Sequence, residues 1–303
     1  MSVRVEADDL LPFTRTREFV IKTTTKTHLV LKGRNFTMKD FGYLIKNFFT
    51  HKDKLAPSWE LPGTMFTPLH FAVAAVILAI VIASALLIGR KKKLIKPIFV
   101  TLWITVLVLE IVKIVWESTS GNTVGLEVTG ILPLYPCSIF MYAMPFAIWG
   151  NDKLKQIACG YACTLGLLGG AVNFFYPMTV LYNYSIISFS AMHSMFYHGV
   201  MLFTCMVMLI SGYHRYTDVR SASALLMPCI PTLIISIPAN IVNYTFDADY
   251  MFFRGTSAFL PGIFGDTPKI AVTLIIYALY IIVPAIFYLP SFVANRKSRK
   301  TSE

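Results

Sequence analysis

The chain has 303 residues, 55% hydrophobic and 14% charged, with mean hydropathy +0.62 and a formal net charge of +11. Soluble globular chains carry roughly 25% charged residues, so the composition excludes a soluble globule and points to an all-α, polytopic membrane protein. The basic residues flank apolar segments, which suits membrane phospholipids as partners and argues against nucleic acid.

Taken in order, residues 1–35 form a polar, basic tail with Val/Ile/Thr/Leu alternation around Phe19–Leu31, the pattern of a small hairpin. No apolar core of a signal peptide is present in the first 60 residues, so the first span is expected to serve as its own insertion signal. Residues 36–66 read as an interfacial segment. There Phe41, Leu44, Ile45, Phe48 and Phe49 fall on one helical face, with Lys39, Lys46, Lys52 and Lys54 nearby.

A membrane domain is predicted over 67–293, with seven spans at about 67–89, 95–116, 132–149, 155–176, 186–211, 222–245 and 268–293. Residues 294–303 are a basic tail. The 90–96, 150–155 and 212–221 links and this tail together hold 13 Lys or Arg, whereas the opposite links hold only Arg254, with Lys269 just inside the last span. The positive-inside rule then places the first group, and the C-terminus, on the cytoplasmic face of the cell membrane. The first 66 residues carry eleven Lys or Arg and would lie outside by parity, but long tails weigh less in that rule.

On this topology the polar side chains gather in the outer half of the bilayer. Span two ends with Glu110 and Lys113, an i,i+3 pair. Span three opens with Cys137, span four ends near Asn173, and span five carries His193 and His198 in its outer half. Span six ends with Asn240, Asn243 and Tyr244. An ionisable side chain costs roughly 2.5–3.5 kcal/mol at the bilayer centre on insertion scales. Groups gathered at one depth suggest a shared polar cavity, or else a network that joins helices.

The stretch Leu132-Pro133-Leu134-Tyr135-Pro136-Cys137-Ser138 heads span three. Two prolines within four residues hold the chain extended and remove two amide donors. Pro136 is tolerated in a first helical turn, which puts Cys137 near the positive end of the helix dipole, where a thiolate is favoured. A Cys and a His at one depth on different helices is what nucleophilic acyl chemistry needs, with the imidazole taking the thiol proton. His193 and His198 are five residues apart, about 140° around a helix, so one is expected to face the cavity and the other to pack locally. That spacing also argues against a two-histidine metal site; no metal or cofactor is expected. Cys159, Cys163, Gly166 and Gly170 form a stripe of small residues that reads as a helix-packing face, and Pro228, Pro231 and Pro238 as kinks in span six.

Leu-Pro-Leu-x-x-Cys opening a span, a later Tyr197-His198 and Asn240-x-x-Asn243-Tyr244 in the next span resemble the YwaF-type integral membrane family, over roughly Leu69 to Leu289. The pattern is also similar to the related eukaryotic transmembrane acyltransferases of ether phospholipids. There a Pro-Cys pair opens a span, a Glu and a Lys share an earlier one, and a His precedes an apolar run in a later one. Those features correspond here to Pro136-Cys137, to Glu110 and Lys113, and to His198-Gly199-Val200-Met201-Leu202. The resemblance implies that Cys137 carries an acyl group and His198 is its base. Many bacterial relatives have a further His eight residues before that one. Here Ser190 holds the position and His193 lies three residues on, which leaves the choice of histidine open. The expectation is a lipid acyltransferase or acyl hydrolase. The alternative is a solute transporter or receptor-like protein, which the proline-broken span six would suit.

Overall fold

The computed structural model describes residues 37–56, 61–122, 128, 130–217, 222–255, 264 and 267–301. The basic tail over 1–35, with its alternation around Phe19–Leu31, lies outside these residues. All regular structure among the described residues is helical. In chain order the α-helices are α1 (Met38–Lys46), α2 (Pro68–Gly89), α3 (Lys92–Ser120), α4 (Ile139–Trp149), α5 (Asp152–Ala162), α6 (Leu165–Phe175), α7 (Met178–Leu181), α8 (Phe189–Ile210), α9 (Ala222–Leu226), α10 (Ile230–Phe246) and α11 (Lys269–Thr301).

Among the described residues six stretches are long and apolar enough to cross a bilayer: Pro68–Gly89, Lys92–Ser120, Asp152–Phe175, Phe189–Ile210, Ala224–Phe246 and Lys269–Asn295. The third expected span, 132–149, is helical only over the eleven residues of α4. Proline disfavours α-helical backbone at the residue before it, so Pro133 and Pro136 hold Leu132 and Tyr135 out of a helix, which starts after Ser138. Eleven residues rise about 16 Å, roughly half the hydrocarbon thickness. The remaining depth is left to irregular chain.

The central post is α8, with 15 of its 22 residues buried. Around it pack α2, α3, α5 and α6. The stripe of small residues serves this packing: a Cβ on Gly170 would lie 3.0 Å from Leu202 Cγ and 3.2 Å from the His198 carbonyl oxygen. The expected fourth span is interrupted at Thr164, whose hydroxyl donates to the Gly160 carbonyl at 2.8 Å. In the sixth, Pro228 and Pro231 stand at the starts of a 3-10 turn and of α10, where proline loses no amide bond. Only Pro238 is interior to α10.

Thr37 and Asp40 form a reciprocal capping box at the start of α1. Leu44 turns inward, while Phe41 and Ile45 stay exposed. The expected single apolar face is thus split. The helix ends at Lys46, and Phe48 and Phe49 lie beyond it, packed on the Phe189 ring.

At the far end of α10, the Asn243 amide donates to the Tyr250 carbonyl at 2.9 Å, and its oxygen accepts from the Tyr250 amide at 2.7 Å. Asn243 is fully buried, so Asn243→Ala removes both of these buried hydrogen bonds and should cost about 2–3 kcal/mol. Asn240→Ala should cost less, because the Tyr277 hydroxyl that meets Asn240 keeps its bond to Ser236. Thermal unfolding in detergent should rank the midpoints native, Asn240→Ala, Asn243→Ala in descending order. Equal midpoints for the two variants would contradict this account.

Candidate active site

The irregular segment before α4 is held by side-chain hydroxyls. Tyr142 donates to the Pro133 carbonyl at 3.1 Å and Tyr161 to the Pro136 carbonyl. Tyr197, on α8, donates to the Cys137 carbonyl at 3.1 Å. The Tyr250 hydroxyl accepts from the Leu132 amide at 2.9 Å and donates to the Val128 carbonyl at 2.6 Å. Non-helical backbone survives at membrane depth only when its polar groups find partners in the protein, and here tyrosines from four separate elements supply them. Cys137 and Ser138 are thereby fixed at the start of the half-length helix α4.

Beside this segment is a cavity of about 570 Å³, within the ~300–1,000 Å³ of small-ligand sites. Its lining includes Cys137, Ser138, His193, His198, Glu110, Lys113 and Asn173. On α3, Lys113 Nζ lies 3.6 Å from Glu110 Oε1 and 3.9 Å from Glu117 Oε2. The second Glu110 oxygen is 3.4 Å from His193 Nε2. That contact is close enough for electrostatic attraction but not aligned as a hydrogen bond, since His193 Nε2 has no hydrogen-bond partner.

On α8, His198 Nδ1 lies 2.8 Å from the Ser194 carbonyl oxygen. A carbonyl can only accept, so Nδ1 carries the hydrogen and the lone pair of neutral His198 is on Nε2. The Ser194 hydroxyl donates to Asn173 Oδ1 at 3.1 Å, and the Asn173 amide meets Met195 Sδ at 3.7 Å. Asn173, Ser194 and His198 thus form one chain of contacts from α6 to α8.

The other end of the cavity is capped by the segment after α1. His51, Lys52 and Asp53 line it. This segment is tied down by Trp116 Nε1 donating to the Phe49 carbonyl (3.1 Å), the Phe189 amide to the Phe48 carbonyl (2.8 Å), the Lys52 amide to the Tyr184 hydroxyl (3.3 Å) and the Asn122 amide to Asp53 Oδ2 (3.2 Å).

Both histidines line the cavity, contrary to the expectation that only one would. Their angular separation does not divide them because the cavity is wide: His193 faces Glu110 on α3, and His198 adjoins Ser194 and Asn173. Asn240 and Asn243 lie outside the lining and hold α10 to Tyr277 and Tyr250. Tyr244 is 66% exposed on the outer surface of the bundle. Glu117, His51 and Asp53 belong to the site but do not emerge from the sequence reading, in which Ser138, Tyr197 and Lys52 stand only as members of a motif or of the interfacial segment. Glu117 carries a readable signal, since it stands four residues after Lys113 and seven after Glu110. The five cysteines are free thiols. Among the described residues no three His, Cys, Asp or Glu side chains converge as a metal would require.

The sequence model of the TMEM164 family matches residues 65–294. The chain belongs to the TMEM164 family. The match takes in α2 to α10 and α11 as far as residue 294, and so every helix that lines the cavity. No curated protein and no solved structure matches the chain.

Removing one charge of the α3 ladder leaves its neighbours buried and unbalanced. Glu110→Gln should lower the thermal midpoint, and adding Lys113→Met should recover part of the loss. The expected coupling is about 0.5–3 kcal/mol. A double-mutant cycle by thermal or denaturant unfolding in detergent tests this, and a coupling near zero would mean the two side chains act separately.

Proposed function

We propose that this TMEM164-family membrane protein transfers acyl groups between phospholipids, with Cys137 as the nucleophile that carries the acyl group and His198 as its general base. The observation that carries the reading is that Cys137, in the segment before α4, and His198, on α8, line one cavity, with the His198 lone pair on Nε2 because Nδ1 donates to the Ser194 carbonyl. Nucleophilic catalysis asks for a weak nucleophile, an adjacent base and a third group that orients the base, and Ser194 fills the third role.

In the first half-reaction His198 Nε2 takes the proton of the Cys137 thiol, and the sulfur attacks the carbonyl carbon of a lipid ester. The ester C–O bond breaks, a thioester forms, and the His198 proton passes to the departing alkoxide, which leaves as a lysolipid alcohol. In the second half-reaction a different lysolipid hydroxyl gives its proton to His198 and attacks the thioester. The C–S bond breaks, and the proton returns to the Cys137 sulfur. Each half-reaction is balanced, and no cofactor is called for.

Lys113 and Ser138 stand in the same lining as Cys137 and are the groups we assign to charge developing on the carbonyl oxygen. His193, facing Glu110, is assigned to holding the charge ladder in place. With the basic links toward the cytoplasm, the 51–53 cap opens on the opposite face, where headgroups would meet Lys52 and Asp53.

Reconstituted protein given an acyl-labelled phospholipid and an unlabelled lysophospholipid tests this by lipid mass spectrometry. Native protein should move label to the acceptor, Cys137→Ala should abolish transfer, and His198→Ala should slow it about 10²-fold or more. His193→Ala should retain more activity than His198→Ala while lowering the unfolding midpoint, because it removes a neighbour of the charge ladder, and Cys137→Ala and His198→Ala should keep native-like midpoints. Transfer that survives Cys137→Ala would overturn the assignment. Saturable uptake of a polar solute without transfer would favour the solute-binding reading.

A further inference from the structure

The cavity has two chemically different sides. Lys52, Asp53, Lys113 and Glu117 mark one; Leu168, Val172, Ile276 and Leu279, from α6 and α11, mark the other. Three of the four apolar residues have a second property. Leu168 is 36% exposed, Val172 38% and Leu279 46%, although all three line the cavity. Leu168 and Val172 continue to the exposed Phe175 along α6, and Leu279 falls in the exposed row Ile275, Leu279 and Ile282 of α11, so they belong to outward helix faces as well as to the cavity and mark an opening between the two. Ile276, only 5% exposed, lies inside it.

The opening is at hydrocarbon depth. Leu279 is ten residues into α11, about 15 Å from that helix's start, near the middle of a bilayer core about 30 Å thick. It therefore faces lipid tails rather than water. The helices on its two sides, α6 and α11, pack only lightly on each other. The α6 wall is also thin at Gly169, where a Cβ would meet nothing nearer than the Met201 methyl at 3.8 Å, so the missing side chain is not demanded by close helix packing.

We propose that a single hydrocarbon chain of a bilayer lipid enters sideways through this slot between α6 and α11 and lies against Leu168, Val172 and Leu279 while the lipid's polar part occupies the Lys52–Glu117 side. This rests on the lipid reading of the site above, but not on its chemistry. The choice of occupant follows from the division of the cavity: a ligand that contacts charged groups at one end and emerges among lipid tails at the other has to be amphipathic. An apolar helix of another protein would fill the slot but leave the charged side empty.

The test uses full-length protein in detergent micelles, titrated with a phosphatidylcholine that bears a diazirine near the end of one acyl chain, followed by photolysis and peptide mapping. Label should appear saturably in the segments 165–172 and 276–280, and excess unlabelled phosphatidylcholine should compete for it. Val172→Trp and Leu279→Trp, which place bulk in the slot from either side, should each weaken saturable labelling about tenfold. Ile82→Trp, on the outer surface of α2, should leave it unchanged. Two tryptophan variants on different helices guard against a fold-specific failure of either one.

Label that never saturates and follows surface exposure over α2, α3 and α11 would overturn the slot. Saturable label that maps only outside 165–172 and 276–280 would overturn it as well. Saturable labelling should persist in Cys137→Ala, which cannot form the thioester, because entry of the chain precedes the chemistry. Saturable labelling without acyl transfer would therefore leave the slot standing and remove the enzyme, and transfer without saturable labelling would do the reverse.

Discussion

The structure depends on how a non-helical chain is stabilised inside a membrane bundle. Pro133 and Pro136 disfavour α-helical backbone at Leu132 and Tyr135, so residues 130–138 stay irregular, and from 131 to 138 the segment is buried or half-buried, so its polar groups need partners within the protein. In such surroundings each unpaired polar group would cost several kcal/mol. Hydroxyls of Tyr142, Tyr161 and Tyr197, on α4, α5 and α8, donate to the segment's carbonyls, and the Tyr250 hydroxyl, in the loop after α10, accepts from the Leu132 amide. Because helix α4 then occupies only part of the bilayer depth, space remains beside its start. The cavity is that space, and Cys137 stands at its edge.

The same geometry accounts for the charged residues of α3. An apolar helix such as α2 can face lipid over most of its surface, and α2 has no charged residue. In contrast, α3 carries Glu110, Lys113 and Glu117 on the side turned to the cavity, while Ile111, Val112 and Val115 face outward. The two carboxylates flank one ammonium group, and His193 approaches from α8. Charges at this depth persist because each has a neighbour of opposite sign and a polar cavity in front of it. The histidine farther along α8 has a different kind of partner, a backbone carbonyl that fixes its tautomer.

Much of this was legible in the sequence. The apolar runs announced a helical membrane protein, and the residues Glu110, Lys113, Cys137, Asn173, His193 and His198 do meet at one cavity. Their convergence could be anticipated because depth follows from position along a span. What could not be anticipated was azimuth, meaning which way each side chain points around its helix. That is why Asn240 and Asn243 resemble cavity residues while serving Tyr277 and Tyr250; the two histidines are a different case, since their separation of about 140° is readable but the reach of the cavity around α8 is not. Helix length was misjudged at 132–149 for a related reason. Hydropathy registers apolar side chains but not the backbone restriction that proline places on the residue before it. The cap at 51–53 was invisible because its contacts join residues more than sixty positions apart, as in the bond from Asn122 to Asp53.

The central claim is that Cys137 is a chemical group and not a packing residue, and intact-mass spectrometry of protein purified from membranes in mild detergent tests it most directly. Native protein supplied with a phospholipid donor should carry a fatty-acyl mass that neutral hydroxylamine removes, and Cys137→Ala should carry none. The same adduct on both proteins, or none on either with donor in excess, would contradict the account and return Cys137 to a structural role.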